Sequence, residues 1–155
     1  MSRRWITTLP SPFGPLRAVA DDDGALTSLG TGDAPAEGAL SDAAPFAALT
    51  EQLGRYFARE PVAFDVPLAP VGTPFQTRVW AALRGIPFGH TISYAELARR
   101  VGSNPRAVGG ANGANPIAIV VPCHRVIGAD GSLVGYAGGI EMKRALLVIE
   151  RVLLL

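Results

Sequence analysis

The sequence contains few of the residues on which metal sites, disulfides and membrane spans depend. Of its 155 residues one is cysteine and two are histidine. One cysteine cannot form an intramolecular disulfide, and with His90 and His124 it leaves too few ligands for a structural zinc site, so neither a metal nor another cofactor is expected. No apolar run approaches the roughly 18 residues of a membrane-spanning helix, and the N-terminus lacks the apolar core of a secretory signal. We therefore expect a cytoplasmic protein with a reduced thiol and no membrane partner.

Charge is also scarce, and it is unevenly distributed. Charged residues make up 17% of the chain, and the net charge is +1. Residues 1–72 contain five Arg against nine Asp and Glu, whereas residues 73–125 contain six Arg against Glu96 alone. A cationic surplus confined to one segment is expected if that segment faces phosphates, although a solvated basic face would give the same pattern. The charge therefore indicates nucleic acid as a candidate partner of residues 73–125.

The rest of the composition is typical of a globular chain, with 48% hydrophobic residues. Hydrophobic alternation and turn residues predict strands at residues 4–9, 16–20, 26–29 and 62–66. An amphipathic helix is predicted from Pro45 to about Arg59, and residues 30–44 are predicted to be a loop. We place an N-terminal αβ lobe at residues 1–66, a linker at 67–72 and a C-terminal domain at 73–155.

Capping residues mark the helices of the C-terminal part. Thr73-Pro74-Phe75-Gln76 combines a capping Thr with Pro at the first helical position and Gln at the third, which predicts a capping box. Ser93 and Glu96 repeat the Ser-x-x-Glu form, and Gly102 ends the helix that they begin. Asn104 then caps another helix. Two short helices joined by three residues predict a helix-turn-helix motif.

The single cysteine, Cys123, follows an apolar run, IAIVV, that predicts a buried strand ended by Pro122. His124 and Arg125 come directly after it. A thiol in this position can lose its proton to the imidazole, and cationic neighbours stabilise the thiolate, which is the nucleophilic form. A lone cysteine is also often a small buried hydrophobe, and composition alone favours that interpretation.

The sequence around Cys123 resembles the O6-alkylguanine-DNA alkyltransferases. The similar blocks, in the family's order, are SPFGPL, TPFQTRVWAALRGIPFGHTISYAELA, RAVGGANGANPIAIVVPCHRVIGADGSLVGYAGG and a helical segment that runs to Glu150. The resemblance implies an α/β (α+β) fold, with an N-terminal RNase H-like αβ lobe and a C-terminal winged helix-turn-helix-like lobe. It also implies stoichiometric DNA repair by a monomer, in which the alkyl group of O6-alkylguanine, and of O4-alkylthymine, moves from double-stranded DNA to Cys123.

The resemblance further implies a role for individual residues. Cys123 is the expected nucleophile, His124 its base, and Glu150 the hydrogen-bond partner of the imidazole. Asn115 is expected to tie the recognition helix to the backbone near Val121. Base flipping is assigned to two residues, of which Tyr94 rotates the 3′ phosphate and Arg106 fills the vacated stack. Further DNA contacts are expected from Ala107, Gly109, Gly110, Asn112 and Arg125, and contacts with the base or the alkyl group from Tyr94, Val126, Tyr136, Ala137 and Gly138.

Two other classes of protein remain open. An alkyltransferase-like lesion sensor binds the flipped base without reacting, but such proteins have another residue in place of Cys123. In a plain winged-helix regulator, Cys123, His124 and Glu150 would be incidental. The segment between Gly102 and Arg106 is also shorter than the family pattern, which leaves the position of Arg106 in its helix open.

Overall fold

The N-terminal lobe of the structure, a computed structural model that describes residues 3–32, 36–136 and 138–153, is built on a four-stranded sheet. Its strands are β1 Trp5–Leu9, β2 Leu16–Ala20, β3 Leu26–Gly30 and β4 Leu40–Ser41, in the order β3-β2-β1-β4. The three strands that alternation predicts are present, β2 pairs antiparallel with both β1 and β3, and β4 is parallel to β1. The prediction of a loop over residues 30–44 was wrong at β4, because a strand of two residues has no periodicity to detect.

Helix α1, Ala47–Phe57, packs beside this sheet with an apolar face formed by Leu49, Leu53 and Tyr56. The spacing of these residues puts them on one side of the helix. The strand predicted at residues 62–66 was wrong. Val62 and Val66 are buried as alternation requires, but the segment has no ladder partner and instead bonds to the Gln52 side chain of α1.

β3 also joins the lobe to the rest of the chain. At its start, the Leu26 N–H donates to the Pro67 carbonyl and the Leu26 carbonyl accepts from Ala69, each at 2.8 Å. At its end, Leu29 exchanges two backbone hydrogen bonds of 2.9 Å with the segment 116–118. One hydrophobic core contains residues of both lobes. The residues leading to Cys123 are therefore held against the N-terminal sheet.

The described residues of the C-terminal lobe form four α-helices and a two-stranded parallel sheet. The elements are α2 Pro74–Leu83, β5 Ile92–Ser93, α3 Tyr94–Val101, α4 Pro105–Gly113, β6 Val126–Ile127 and α5 Ile140–Ile149, with β5 beside β6. The helix-turn-helix of α3 and α4 is confirmed. No helix among the described residues combines the length and the apolar character needed to cross a membrane.

The predicted caps are present at each helix start. Thr73 and Gln76 form the complete capping box of α2. Ser93 accepts from the backbone N–H of Glu96, but the Glu96 carboxylate binds Arg99 and Arg100 rather than closing a second box. Asn104 caps α4, and Gly102 ends α3 with φ of 70°, a left-handed conformation that glycine adopts without strain.

The strand predicted at residues 117–121 was wrong. Only Ile117 pairs with a strand, through its isolated bridge to Leu29. The chain then turns tightly, because Ile119 has φ of 72° and the Val121 N–H returns to the Ile117 carbonyl at 3.1 Å. A positive φ is unusual for a β-branched residue and indicates backbone strain close to Cys123. The apolar run is buried in the core rather than in a sheet, a distinction that an unbroken apolar run does not reveal.

Candidate active site

Cys123 begins a short 3₁₀ turn, Cys123–Arg125, that packs against α5 and α2. Its side chain is nearly buried, at 7% exposure, and it lines an open cavity of about 340 Å³. The cavity is bounded by the end of β3, the end of α4 and the segment before α5; its lining includes Gly30, Asn112, Ala118, Tyr136, Gly138 and Met142. The thiol is thus accessible from one side only.

Two asparagines hold the backbone around the thiol. The Asn115 amide donates to the Val121 carbonyl at 2.8 Å and accepts from the Ile117 N–H at 3.0 Å, which is the contact with the backbone near Val121 that the resemblance implies. The Asn112 amide donates to the Cys123 carbonyl at 3.3 Å. Asn112, which was predicted to contact DNA, is buried and lines the cavity, and its contact with DNA stays a prediction.

His124 is fully buried, and its Nε2 lies 2.5 Å from Oε2 of Glu150, as the resemblance implies. Burial alone would raise the pKa of Glu150, but hydrogen bonds and charge from His124 and Arg125 outweigh it and hold the pKa at about 2. The carboxylate is therefore ionised and accepts, so Nε2 carries the hydrogen. Nδ1 then has a free lone pair, and it is buried without a hydrogen-bond partner among the described residues.

Arg125 is turned inward rather than toward DNA. Its Nε donates to Oε1 of Glu150 at 2.8 Å, its Nη2 to Oε2 at 3.1 Å and its Nη1 to the Ile86 carbonyl at 2.6 Å. The planar guanidinium matches the carboxylate in a two-pronged contact. The predicted DNA contact of Arg125 stays a prediction, and its guanidinium is bound inside the protein here.

Tyr56 of α1 completes the group around Glu150 and was missed by the sequence analysis. Its hydroxyl donates to Oε2 of Glu150 at 2.6 Å and lies 3.5 Å from Nε2 of His124. The residue is fully buried. The only signal in the sequence is its place on the apolar face of α1, because a buried tyrosine hydroxyl usually has a partner.

Burial controls the protonation of Cys123 and His124 in the absence of substrate. Burial raises the pKa of the Cys123 thiol, against the Asn115 side chain and the charge of Lys143. Burial lowers the pKa of His124, against Glu150. Both groups are therefore neutral at pH 7 before a substrate binds. Arg125 cannot stabilise a thiolate as expected, because Glu150 engages its guanidinium.

Lys143 is a second residue that the sequence analysis missed. It lies on the buried face of α5 with no exposed surface, and its Nζ donates to the Val134 carbonyl at 2.8 Å. Nζ also lies 5.8 Å from the centre of the Tyr94 ring. Burial lowers the pKa of Lys143 to about 8, although the charge of Cys123 opposes this. Lys143 is the only lysine among fourteen basic residues, a signal that could have drawn attention to it.

Of the residues expected to hold the base, Tyr136 and Gly138 line the cavity, whereas Tyr94 and Val126 are not among its lining residues. The Tyr94 hydroxyl donates to the Val134 carbonyl at 3.0 Å, while the Tyr136 hydroxyl is buried without a partner. A Cβ at Gly138 would lie 2.6 Å from Sδ of Met142, so the Met142 side chain would have to shift to admit it. Val126 is buried in β6. Ala137 lies outside the described residues, so its predicted contact is untested.

α4 presents the remaining predicted DNA contacts. Arg106 is its second residue and is exposed, as is Gly110, while Ala107 and Gly109 are partly exposed. Because Ala107, Gly109 and Gly110 are small, DNA could approach the surface of α4 closely. Across residues 3–32, 36–136 and 138–153, no three His, Cys, Asp or Glu side chains come together as a metal site would require.

Comparison with known proteins gives matches along nearly the whole chain. The ribonuclease-like domain of 6-O-methylguanine DNA methyltransferase matches residues 5–70, and the DNA binding domain of the same family matches residues 74–152. These matches confirm the fold class that the resemblance implied.

Individual relatives agree with the two domain matches. The methylated-DNA–protein-cysteine methyltransferase of Mycolicibacterium paratuberculosis is 51% identical over 150 residues, covering 93% of this chain and 90% of the relative. Its namesake from Methanosarcina acetivorans is 47% identical over 147 residues, covering 90% and 94%. The crystal structure of Mycobacterium tuberculosis OGT in complex with DNA has a TM-score of 0.87 and 49% identity over 96% of this chain and 92% of that one. The chain belongs to the 6-O-methylguanine DNA methyltransferase family.

Proposed function

We propose that this protein repairs alkylated double-stranded DNA by moving the alkyl group from O6 of guanine to Sγ of Cys123. A carbon–sulfur bond forms, the bond between the carbon and O6 breaks, and the thiol proton ends on the released guanine. The thioether is not reversed, so each molecule acts once. The observation that carries the proposal is the single thiol in an open cavity beside a neutral, buried imidazole. The names of the relatives support the same reaction.

His124 is the proposed acceptor of the thiol proton. Its Nε2–H is committed to Glu150, which leaves Nδ1 as the basic nitrogen. Protonation of Nδ1 gives an imidazolium beside the ionised Glu150 carboxylate, and this pair favours the charged form of the ring. The thiolate so formed is the nucleophile. Asn115 keeps the turn before Cys123 in place through Val121.

DNA binding is proposed for the surface of α3 and α4. The lesion lies inside a duplex, so the base must leave the stack before it reaches Cys123, at a cost of a few kcal/mol. Arg106, the exposed second residue of α4, is the residue proposed to fill the vacated position, and Tyr94 lies between α4 and the cavity. We extend the substrates to O4-alkylthymine, which presents the same alkoxy carbon, and propose that the protein acts as a monomer in the reducing cytoplasm. No observation favours the alternative of a lesion sensor that does not react.

Intact mass after incubation with O6-benzylguanine tests the proposed reaction. The wild-type protein should gain one benzyl group, and peptide mapping should place it on Cys123. Cys123→Ser should gain none, because a serine hydroxyl is far harder to ionise than a thiol with a pKa of ~8.5. An adduct on the serine variant, or none on the wild type, would contradict the proposal.

A duplex containing O6-methylguanine tests the DNA part of the proposal. Arg106→Ala should react with the duplex about tenfold more slowly or worse, since base flipping loses a stabilising group. Its reaction with free O6-benzylguanine should be unchanged. Arg55→Ala, which removes an exposed positive charge from the N-terminal lobe, is the matched control and should behave as wild type on both substrates. Equal losses of rate on both substrates would show that Arg106 does not act in base flipping.

A further inference from the structure

The Glu150 carboxylate has an unusually complete set of donors, and one of them comes from the N-terminal lobe. Oε1 accepts from Arg125 at 2.8 Å and from the Gly89 N–H at 3.0 Å. Oε2 accepts from His124 at 2.5 Å, from the Tyr56 hydroxyl at 2.6 Å and from Arg125 at 3.1 Å. Gly89, His124 and Arg125 belong to the C-terminal lobe. Tyr56 belongs to α1, within the residues matched by the ribonuclease-like domain.

The contact of the Tyr56 hydroxyl is distinct from the packing of its ring. The ring packs against three phenylalanines, with centroid distances of 5.6 Å to Phe57 and 5.8 Å to both Phe64 and Phe88. Those contacts hold the ring without any help from the oxygen. The hydroxyl extends beyond them to Oε2, the same oxygen that binds the imidazole. The hydroxyl therefore shares its acceptor with the proposed base of the reaction.

We infer that Tyr56 is a positioning residue for alkyl transfer, through which the N-terminal lobe sets the basicity of His124. The inference rests on the proposed function. A donor to Oε2 draws charge from the carboxylate and leaves less for the imidazole. The Tyr56 hydroxyl thus keeps His124 neutral to lower pH, while it fixes the carboxylate in the plane of the ring. The charged and titratable groups that face this ring are Glu150 and Lys143 from the α5 segment, Arg125 and Cys123 from its own turn, and Tyr56 from α1.

Tyr56→Phe isolates the hydroxyl, because phenylalanine keeps all three ring contacts. The measurement is the rate of inactivation by O6-benzylguanine from pH 5 to pH 9. Without the hydroxyl, Oε2 accepts more strongly from His124, and the imidazole binds its proton more tightly. The acid limb of the profile should move to higher pH by about one unit, which makes the rate roughly tenfold lower on the acid side of its midpoint and leaves it nearly unchanged at high pH. A purely structural role would lower stability and leave the midpoint in place.

Site-specific incorporation of 3-fluorotyrosine at position 56 provides the opposite change. Fluorine makes the phenol a stronger donor, so the acid limb should move to lower pH while the ring keeps its place. If Tyr56→Phe does not fold, the shift measured for the fluorotyrosine protein still tests the role of the hydroxyl. Thr50→Val, which removes the other α1 hydroxyl bonded to a neighbour, the Phe46 carbonyl at 2.8 Å, is the control and should leave the profile unchanged.

The outcomes separate this inference from the proposed function. If the wild-type protein does not react with O6-benzylguanine, the proposed function itself fails. If it reacts and the three pH profiles of wild type, Tyr56→Phe and the fluorotyrosine protein superimpose, the reaction stands and the role of Tyr56 is wrong. Opposite shifts of the acid limb in the two altered proteins would establish it.

Discussion

The two sides of Cys123 differ in how completely their polar atoms are paired. Behind it, Tyr56, His124, Arg125 and Glu150 form a rear cluster in which each carboxylate oxygen accepts at least two hydrogen bonds. In front lies the cavity. Within the described part of the chain, the buried side-chain atoms without a partner are Oδ1 of Asn112 and the hydroxyl of Tyr136, both of residues that line the cavity, and Nδ1 of His124.

This difference indicates that the rear cluster has its hydrogen bonds before a ligand binds, whereas the cavity does not. Buried polar atoms are normally paired, so unpaired ones gathered at one cavity mark the places that a ligand completes. The rear cluster needs nothing further, and its strong pairing fixes the imidazole. His124 is the member of the rear cluster that keeps an unpaired atom, since its Nε2 is paired with Glu150 and its Nδ1 has no partner among the described residues. Substitutions in the rear should therefore affect folding and reaction together, whereas substitutions in front should affect reaction alone.

Glu150→Gln should give the largest effect, because it leaves the Arg125 charge buried without its partner. Breaking a buried ion pair on one side costs about 3–5 kcal/mol, and Glu150 has no exposed side-chain surface. Urea unfolding at pH 7 measures the loss. Because the pKa of Glu150 is depressed to about 2, its contribution is present above the ordinary carboxyl value and is lost as the pH falls from 4.5 toward 2. The difference between wild type and variant should therefore shrink in acid.

Glu51→Gln is the matched control for that substitution. Glu51 forms an exposed ion pair with Arg55, and exposed pairs contribute little. Its unfolding curve should coincide with that of the wild type. If Glu150→Gln were as stable as this control at pH 7, the buried contacts of Glu150 in the rear cluster would not stabilise the folded protein.

Gly138→Ala tests the front, where a loss of reaction without a loss of stability is expected. The added Cβ would lie 2.6 Å from Sδ of Met142 and 2.8 Å from Cε2 of Tyr136, so these flexible groups must shift, and both line the cavity. A change of one carbon in a pocket alters rates by about tenfold or more. Inactivation by O6-benzylguanine should slow by that factor, and methylated duplex should be affected less.

Gly54→Ala is the control for the cavity. Gly54 lies inside α1 with open space around its Cα, and the substitution should raise stability by about 0.5–1 kcal/mol without changing the rate. A Gly138→Ala protein that unfolds more easily but reacts at the normal rate would contradict the division into rear and front.

Sequence signals predicted the elements that local chemistry controls. Thr73, Ser93, Asn104 and Gly102 end or begin helices through contacts within a few residues, and each was placed correctly. The contacts of Glu150 with His124 and of Asn115 with Val121 came only from the resemblance to a family. Neither composition nor spacing contains them.

The contacts that the sequence did not predict join residues that are distant in the chain. The sequence did not pair Arg125 with its acceptor Glu150, which lies 25 residues away. Tyr56 and Glu150 are separated by 94 residues, and no pattern around either one indicates the other. The predicted strand at 117–121 failed in the same way, because its apolar residues are buried by tertiary packing rather than by a sheet. The rear cluster is thus a product of the assembled fold.

Lys143 lies between the two regions, and its removal should have the smallest effect. Its positive charge opposes the rise that burial causes in the pKa of Cys123. Lys143→Met keeps an unbranched apolar side chain but loses this charge, so the thiol pKa should rise and the inactivation rate at pH 7 should fall by a few fold. Arg144→Met removes an exposed charge from the same helix and should leave the rate unchanged.

The pH dependence distinguishes this charge effect from a loss of packing. Lys143 has a pKa of about 8, so its charge is present at pH 7 and fades above pH 8. The rates of wild type and Lys143→Met should therefore converge as the pH rises from 7 to 10.

The same titration affects stability. Because burial depresses the pKa of Lys143 from its ordinary 10.5, the charged lysine destabilises the folded state fully below pH 8, and this penalty disappears between pH 8 and 10.5. Wild-type stability should rise relative to the variant over that interval. A constant ratio of the two rates from pH 7 to pH 10 would mean that Lys143 affects the reaction through packing and not through its charge.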